Sequence, residues 1–332
     1  DVVSWNAMIS VCAQNVRGCQ MALTLFDRMK QTGMIPNNVT YVCVLESIAK
    51  KEDMIEAHFF HSQVLLSGGL SLDVMVGTTL INLHGKTGSL RNTYDIFDLI
   101  PEPNAVSWTA MIAGYAHDVE HGYEALILYE KMLLDGRIMP NGFTFLSAMN
   151  ASTKLGDLQA GQMIHAHIIE HVLGVNAYIA NALTNMYLKC DSIEDGVQVF
   201  ESICCRDVVT WTIMITGYSQ KGYVEKVLQA FQQMETEGYH PDDTNFVCVL
   251  GACTASCMLW WGRQIHAILI HIYSKNEALE NALIDMYHRC GRINDAYELF
   301  HKMHVKNVGT WNTMISGYAK HGLIRNAFSL YE

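Results

Sequence analysis

Tryptophans 5, 108, 211 and 311 each stand in the same phrase of sequence, VSWNAMISVC, VSWTAMIAGY, VTWTIMITGY and GTWNTMISGY, at steps of 103, 103 and 100 residues. A chain that repeats itself at such intervals folds as an array, because each unit meets its neighbour through the same faces. Within each phrase the apolar residues recur at i, i+3, i+4 and i+7, as in Trp108, Met111, Ile112 and Tyr115. That spacing is one face of an α-helix. A second amphipathic stretch follows a polar or glycine-containing gap, as in Ala22, Leu25, Phe26 and Met29, or Val227, Ala230, Phe231 and Met234. The unit is a helix-turn-helix pair.

About a hundred residues is too long for one pair, so each block holds three. The second unit of a block opens VTYVCVL, FTFLSAM or TNFVCVL and continues into FFHSQVL, MIHAHII or QIHAILI. The third opens VGTTLINLHGKTGS, IANALTNMYLKCDS or LENALIDMYHRCGR. Aligning the phrases predicts one continuous array over 1–332, with repeats 2–37, 38–73, 74–104, 105–141, 142–176, 177–207, 208–242, 243–276, 277–307 and a truncated tenth over 308–332. Pro36, Pro140 and Pro241 stand one residue before the end of a Trp-type repeat, where a proline is expected to end the second helix and to hold the next residue, Asn37, Asn141 or Asp242, in a set direction.

Half of the residues are hydrophobic, yet no run of about 18 apolar residues occurs, so no membrane partner is expected. The ten cysteines show no paired framework: Cys190 and Cys290 share a repeat position with Thr87, which marks a small packing site, and reduced thiols in a non-secreted protein are expected. Neither a secretion signal nor an Arg-rich transit segment stands in the sequence, which opens inside a repeat phrase and ends mid-helix, and it is read as an excised piece.

The W-[NT]-x-M-I, Q-I-H-A, N-A-L-x-x-M-Y and K-C-[GD] phrases, with third repeats always 31 residues long, resemble the pentatricopeptide repeat (PPR) proteins. The subclass is the plant organellar one that cycles standard, long and short repeats, as in RNA-editing factors, here a fragment lacking a terminal catalytic domain. The resemblance covers the whole chain. It implies an all-α fold, a right-handed α-solenoid of about ten helix-turn-helix repeats forming a superhelix with a concave groove. It also implies single-stranded RNA as partner and a plastid or mitochondrial location.

In the family each repeat faces one base with its fifth and last residues. The pairs here are Asn6 with Asn37, Thr78 with Asn104, Thr109 with Asn141, Asn181 with Asp207, Thr212 with Asp242, and Asn281 with Asn307, and Asn312 opens a seventh. Guanine and uracil carry an imino N–H that suits an Asp acceptor, whereas adenine and cytosine carry a bare ring nitrogen that suits an Asn donor. By analogy Thr at the fifth place goes with purines and Asn with pyrimidines, giving a preferred RNA of Y-n-A-A-n-U-G-n-Y. The long repeats place Val42, Leu146 and Val247 there and are expected to supply spacing. Second residues Val3, Met75, Val106, Tyr178 and Val209 are placed to sandwich bases, while Ala278 and Gly309 are too small to do so well. Asn, Thr and Asp near helix ends also serve as caps and turn residues, but capping alone leaves the restriction of all six pairs unexplained.

Net charge of −11 argues against a phosphate-binding surface unless acidic residues such as Glu124, Glu194, Asp195, Glu225 and Asp295 lie at second-helix starts, where they suit the helix dipole. The histidine clusters, His165, His167 and His171, and His266 and His271, are read as structural, since His61, His165 and His266 align at one repeat position beside apolar neighbours. No His has Glu two residues on, and no two Cys form C-x-x-C, so the deaminase signature is absent and no catalysis, metal, cofactor or small-molecule substrate is expected. The reading is an RNA-recognition module for organellar processing, with C-to-U editing as the expected process and editing-cofactor proteins or a separate deaminase domain as further partners. The alternatives are a protein-interaction solenoid and a docking platform for editing cofactors.

Overall fold

The computed structural model describes residues 1–66, 73–118, 120–170, 176–272, 276–303 and 305–331, with the side chains of residues 16, 271 and 272 outside the description. Among the described residues the regular structure is helical throughout, and the chain forms two compact units, Asp1–Met186 and Tyr187–Glu332. In the first unit the pairs are Val2–Ala13 (α1) with Cys19–Gln31 (α2), Asn38–Lys51 (α3) with Met54–Leu66 (α4), Val74–Lys86 (α5) with Leu90–Asp98 (α6), Ala105–His117 (α7) with Gly122–Asp135 (α8), and Gly142–Leu155 (α9) with Leu158–Glu170 (α10). The unit boundary falls inside Ala177–Lys189 (α11), which is followed by Ile193–Ser202 (α12). The second unit continues with Val208–Gln220 (α13) and Val224–Thr236 (α14), Asp243–Ala255 (α15) and Leu259–Ile272 (α16), Glu277–Arg289 (α17) and Ile293–Lys302 (α18), and Val308–Lys320 (α19) and Ile324–Tyr331 (α20).

Within each unit, first helices stack on first helices: α1 on α3, α3 on α5, α5 on α7 and α7 on α9, and likewise α13, α15, α17 and α19. Within each unit, second helices such as α2, α4, α6, α8, α10, α14, α16, α18 and α20 pack beside their own first helices and, as with α2, α6 and α8, also against the next one. The repeating tryptophan serves that stacking. Trp108, Trp211 and Trp311 meet the edges of Phe97, Phe200 and Phe300, one repeat earlier, at ring-centroid distances of 4.7, 4.9 and 4.9 Å. Such aromatic pairs add about 0.5–1.5 kcal/mol beyond the area they bury. Glycine sets the spacing: a Cβ on Gly85 of α5 would lie 2.9 Å from the Gly114 Cα of α7, so these two backbones touch.

The ends of the second helices depart from the expectation placed on proline. Helices α2, α8 and α14 stop at Gln31, Asp135 and Thr236, and the chain reverses at Gly33, Gly136 and Gly238, whose φ values are +76°, +63° and +85°. Met34 and Tyr239 donate their N–H groups back to the carbonyls of Met29 and Met234, closing the turn. Glycine therefore ends the helix, and Pro36, Pro140 and Pro241 stand in the following linker directly before the next cap.

The acidic residues Glu124, Glu194, Asp195, Glu225 and Asp295 occupy first turns of second helices. Basic residues are drawn to the opposite ends: the Lys50 ammonium donates to the carbonyl of Ala13 at 2.6 Å, and that of Lys154 to Ala116 and His117 at 2.9 and 2.6 Å. Both caps neutralise helix C-termini. All ten cysteines are free thiols, and no described helix is long and apolar enough to cross a membrane.

Candidate nucleic-acid interface

The last residue of each Trp-type or short repeat is the N-cap of the next first helix. Asn37 caps α3, Asn104 caps α7, Asn141 caps α9, Asp207 caps α13, Asp242 caps α15 and Asn307 caps α19. In each, Oδ1 accepts the backbone N–H of the helix's third residue, at 2.8–3.0 Å. Capping by itself therefore accounts for a short polar residue at these places. It does not decide between Asn and Asp, and that choice determines what is left over. An Asn spends its carbonyl on the cap and keeps an NH₂ donor; an Asp spends one oxygen and keeps a second acceptor. The Nδ2 groups of Asn37, Asn104 and Asn141 have no partner among the described residues.

The fifth residues lie beside these caps. Asn6 donates from Nδ2 to Asn37 Oδ1 at 3.1 Å. Thr109 and Thr212 donate to the carbonyls of Ala105 and Val208 in their own helices, both at 2.7 Å. The partner sequence reasoning missed is the third residue of the next first helix. Thr40 Oγ1 donates to Asn6 Oδ1 at 2.6 Å and lies 3.0 Å from Asn37 Oδ1. Ser107 Oγ links Thr78 (2.9 Å) to Asn104 (3.2 Å), and Thr144 Oγ1 links Thr109 (2.7 Å) to Asn141 (3.1 Å). Asn245 donates its amide to both Thr212 Oγ1 at 3.0 Å and Asp242 Oδ1 at 2.7 Å. Thr40, Ser107, Thr144, Thr210, Asn245 and Thr310 are all fully buried. Where the preceding repeat is a long one, the same position is apolar: Val76, Ile179 and Leu279. That alternation was a readable signal, since a buried position that switches between hydrogen-bonding and aliphatic side chains with repeat type is not set by packing alone.

Not every pair is arranged alike. Asn181 lies in the first unit and Asp207 in the second. The Oδ1 atoms of Asn181 and Asn281 are buried and have no partner among the described residues. Asn307 donates its amide to the Glu277 carboxylate, so its donor is engaged by the first residue of its own repeat. Long repeats 38–73 and 243–276 show the same first-to-last link: Asn38 donates to Asp73 at 3.0 Å, and Asn276 to Asp243 at 2.6 Å. Asn312 is exposed on α19.

Two residues past each cap, the second residues of the repeats are exposed. Val3, Met75, Val106, Tyr178 and Val209 are exposed by 75, 60, 59, 79 and 57 %. Val39 and Phe143, in long repeats, occupy the same place and are exposed by 50 and 74 %, so the first unit presents an apolar side chain from long repeats too. Val42 and Leu146 are half-buried and Val247 is exposed, with no polar group to offer.

The histidines belong to the packing between repeats. His266 Nδ1 meets the Tyr287 hydroxyl at 2.8 Å, and His61 Nδ1 meets His84 Nε2 at 3.1 Å, because His84 occupies the place of that tyrosine. Burial pushes the His84 imidazole down to about 4 and lowers those of His61 and His266 as well. His167 bonds the Tyr129 hydroxyl at 3.0 Å. His171 and the His271 side chain lie outside the described residues.

Stacked helix pairs, with a polar cap and a buried polar partner at the first-helix starts that follow Trp-type and short repeats, define an α-solenoid repeat protein. The PPR repeat family matches residues 1–50 and 206–254, and the PPR repeat matches 281–308 and 309–332. A chloroplastic pentatricopeptide repeat-containing protein of Arabidopsis thaliana is 34% identical over 335 residues, covering 99% of this chain and 53% of its own length. A mitochondrial one from the same plant is 32% identical over 97% of this chain and 31% of its own length. The chain therefore spans about half, or less, of the length of these relatives. It belongs to the pentatricopeptide repeat family. The crystal structure of the maize pentatricopeptide repeat protein PPR10 superposes with a TM-score of 0.71 at 19% identity, covering 99% of this chain and 53% of that one. PPR10 in complex with an 18-nt psaJ RNA element superposes at 0.70, with 19% identity and 99% and 55% coverage.

Proposed function

We propose that this stretch is a sequence-specific single-stranded RNA-binding array that reads one base per Trp-type or short repeat and does not itself catalyse. The observation that carries the reading is the cap geometry: the helix needs one oxygen of each last residue, and the side chain's remaining group is a donor in Asn37, Asn104 and Asn141 and an acceptor in Asp207 and Asp242. Those are the two groups that distinguish a bare ring nitrogen from an imino N–H on a base edge. Fifth residues Thr78, Thr109 and Thr212, or Asn6, Asn181 and Asn281, divide purine from pyrimidine, and the exposed second residues flank the bases. The preferred RNA is Y-n-A-A-n-U-G-n-Y. The setting we propose is a plastid or mitochondrion, as the names of the relatives suggest, with positioning of RNA for C-to-U editing by a separate deaminase domain or partner as the process.

The test is a titration of 5′-CUAAUUGUC against the same RNA with A and U, and G and C, exchanged at the six read positions. Each wrong base costs roughly 1–3 kcal/mol for a direct edge contact, so preference of tenfold or more for the first RNA is expected. Equal affinity for the two sinks the reading. Exposed apolar groups on the second helices of long repeats, Ile55 and Phe59 on α4 and Trp260 on α16, favour a coexisting role as a docking face for editing-cofactor proteins. That role shows as tighter RNA binding when the cofactor is added.

A further inference from the structure

Three side chains meet at the reading points of repeats one, three, four and seven; at the Asn281–Asn307 point Thr310 bonds Asn307, and the Asn281 oxygen has no partner among the described residues. The third side chain is the buried polar residue at the third place of the next first helix. Thr144 illustrates the arrangement. Its hydroxyl accepts the Asn141 backbone N–H at 3.2 Å, lies 3.1 Å from the Asn141 cap oxygen and 2.7 Å from Thr109 Oγ1. It is fully buried, so water cannot replace any of these bonds, and an unmade one there is costly. Ser107 makes the same bridge between Thr78 and Asn104, Thr40 between Asn6 and Asn37, and Asn245 between Thr212 and Asp242.

We infer that this third residue is a positioning residue for base recognition. Together with the backbone cap bond it holds the cap's Oδ1 inward, and it holds the fifth side chain against that oxygen, so the group left facing the base is fixed in identity and direction. An Asn free to turn its amide would present its oxygen or its nitrogen with similar ease, and such a side chain cannot tell a ring acceptor from an imino donor. The bridge removes that freedom. The proposal rests on the paired-residue reading given above.

The four bridges are not equivalent. A hydroxyl carries one proton, so Thr144 can pass it toward Thr109 or toward Asn141, and Thr109 has a backbone carbonyl, Ala105, as an alternative acceptor. Proton direction is reversible there. The Asn245 amide has two N–H groups and spends one on each neighbour. Thr212 is therefore always an acceptor from Asn245, and its own proton goes to Val208 or to the ligand. Toward its bridge the fifth hydroxyl of repeat four can donate or accept, whereas that of repeat seven only accepts.

The experiment compares affinity for 5′-CUAAUUGUC and for the same RNA with its fourth base changed from A to U, using wild type, Thr144→Val and Thr144→Ser. Valine keeps the shape of the buried group and removes its hydrogen bonds; serine restores the hydroxyl. Wild type and Thr144→Ser are expected to prefer A by about tenfold. Thr144→Val is expected to fall to within about twofold of no preference, by weakening for A, with the salt dependence unchanged because phosphate contacts are untouched. A folded Thr144→Val protein that keeps the wild-type preference overturns the proposal. So does one that loses affinity for both RNAs equally, since that is a structural role only. Absence of preference in wild type overturns the paired-residue reading and takes the proposal with it. Should Thr144→Val fail to fold, Ser107→Ala with the third base exchanged puts the same question one repeat earlier.

Discussion

A single atom separates the two roles of each cap. Asn141 must give its oxygen to the N-terminus of α9, and only then is its amide defined as a donor; Asp242 gives one oxygen to α15 and keeps the other. On the proposed reading, stability and specificity thus use different atoms of one side chain. The same scale holds a liability at His84. Its fully buried imidazole faces His61, where the corresponding later repeat has the His266–Tyr287 pair. Burial and the neighbouring histidines bring it down to about 4, whereas an unfolded chain takes up that proton near pH 6.5. Between those values the unfolded state binds more protons, so stability falls as pH falls. The loss from this one group is about 2–3 kcal/mol by pH 4.5. His84→Tyr removes the titrating group, and denaturant unfolding at pH 7 and 4.5 should show the variant losing about 2 kcal/mol less than wild type across that interval. Equal losses would sink the assignment.

Helices stack here through contacts tight enough that one methyl group matters. A Cβ on Gly85 meets backbone, not a side chain that could swing aside, so α5 and α7 must separate. Gly85→Ala is expected to cost about 1–3 kcal/mol, read as a lowered melting temperature. Gly217→Ala, whose Cβ meets the movable Leu188 side chain, should cost less. Helical periodicity made the elements legible, because Trp108, Met111, Ile112 and Tyr115 share a face whatever they pack on. The repeat family was legible too. What stayed hidden joins residues about thirty apart: the Thr144 bridge reads in sequence as one more helix-start threonine, and Glu277 as one more first-turn acid, until Asn307 is found donating to it. Proline was given the work of glycine because both cluster in the same linker, and only the φ of Gly33 separates them.

At the scale of the chain the proposed function raises the question of how 22 basic residues against 33 acidic ones would bind a polyanion. The distribution supplies an answer. Acidic groups sit at second-helix starts, and lysines such as Lys50 and Lys154 are committed to helix C-termini. First-helix starts keep their dipoles beside neutral side chains at Asn37, Asn104 and Asn141 and beside acidic ones at Asp207, Asp242, Asp243 and Glu277, with no cation among them. Binding should then owe more to base edges and apolar flanks than to phosphate. The slope of log affinity against log salt is expected to be shallow, roughly −1 to −3, because each phosphate contact on a single strand contributes about −0.7. A slope steeper than about −5 would show a phosphate-dominated surface instead.

If caps are read as proposed, then because the bridges to Asn37, Asn104, Asn141 and Asp242 come from the helix after each cap, the unit of information is longer than the unit of structure. Transplanting residues 105–141 into another array carries Thr109 and Asn141 but leaves Thr144 behind, and the host's own residue then decides whether the two side chains are held. A cassette that keeps its meaning has to run from the start of α7 through the first turn of α9. Shuffling of whole repeats, by an engineer or by duplication of the gene, would preserve the architecture every time and the message only when the junction falls past that turn.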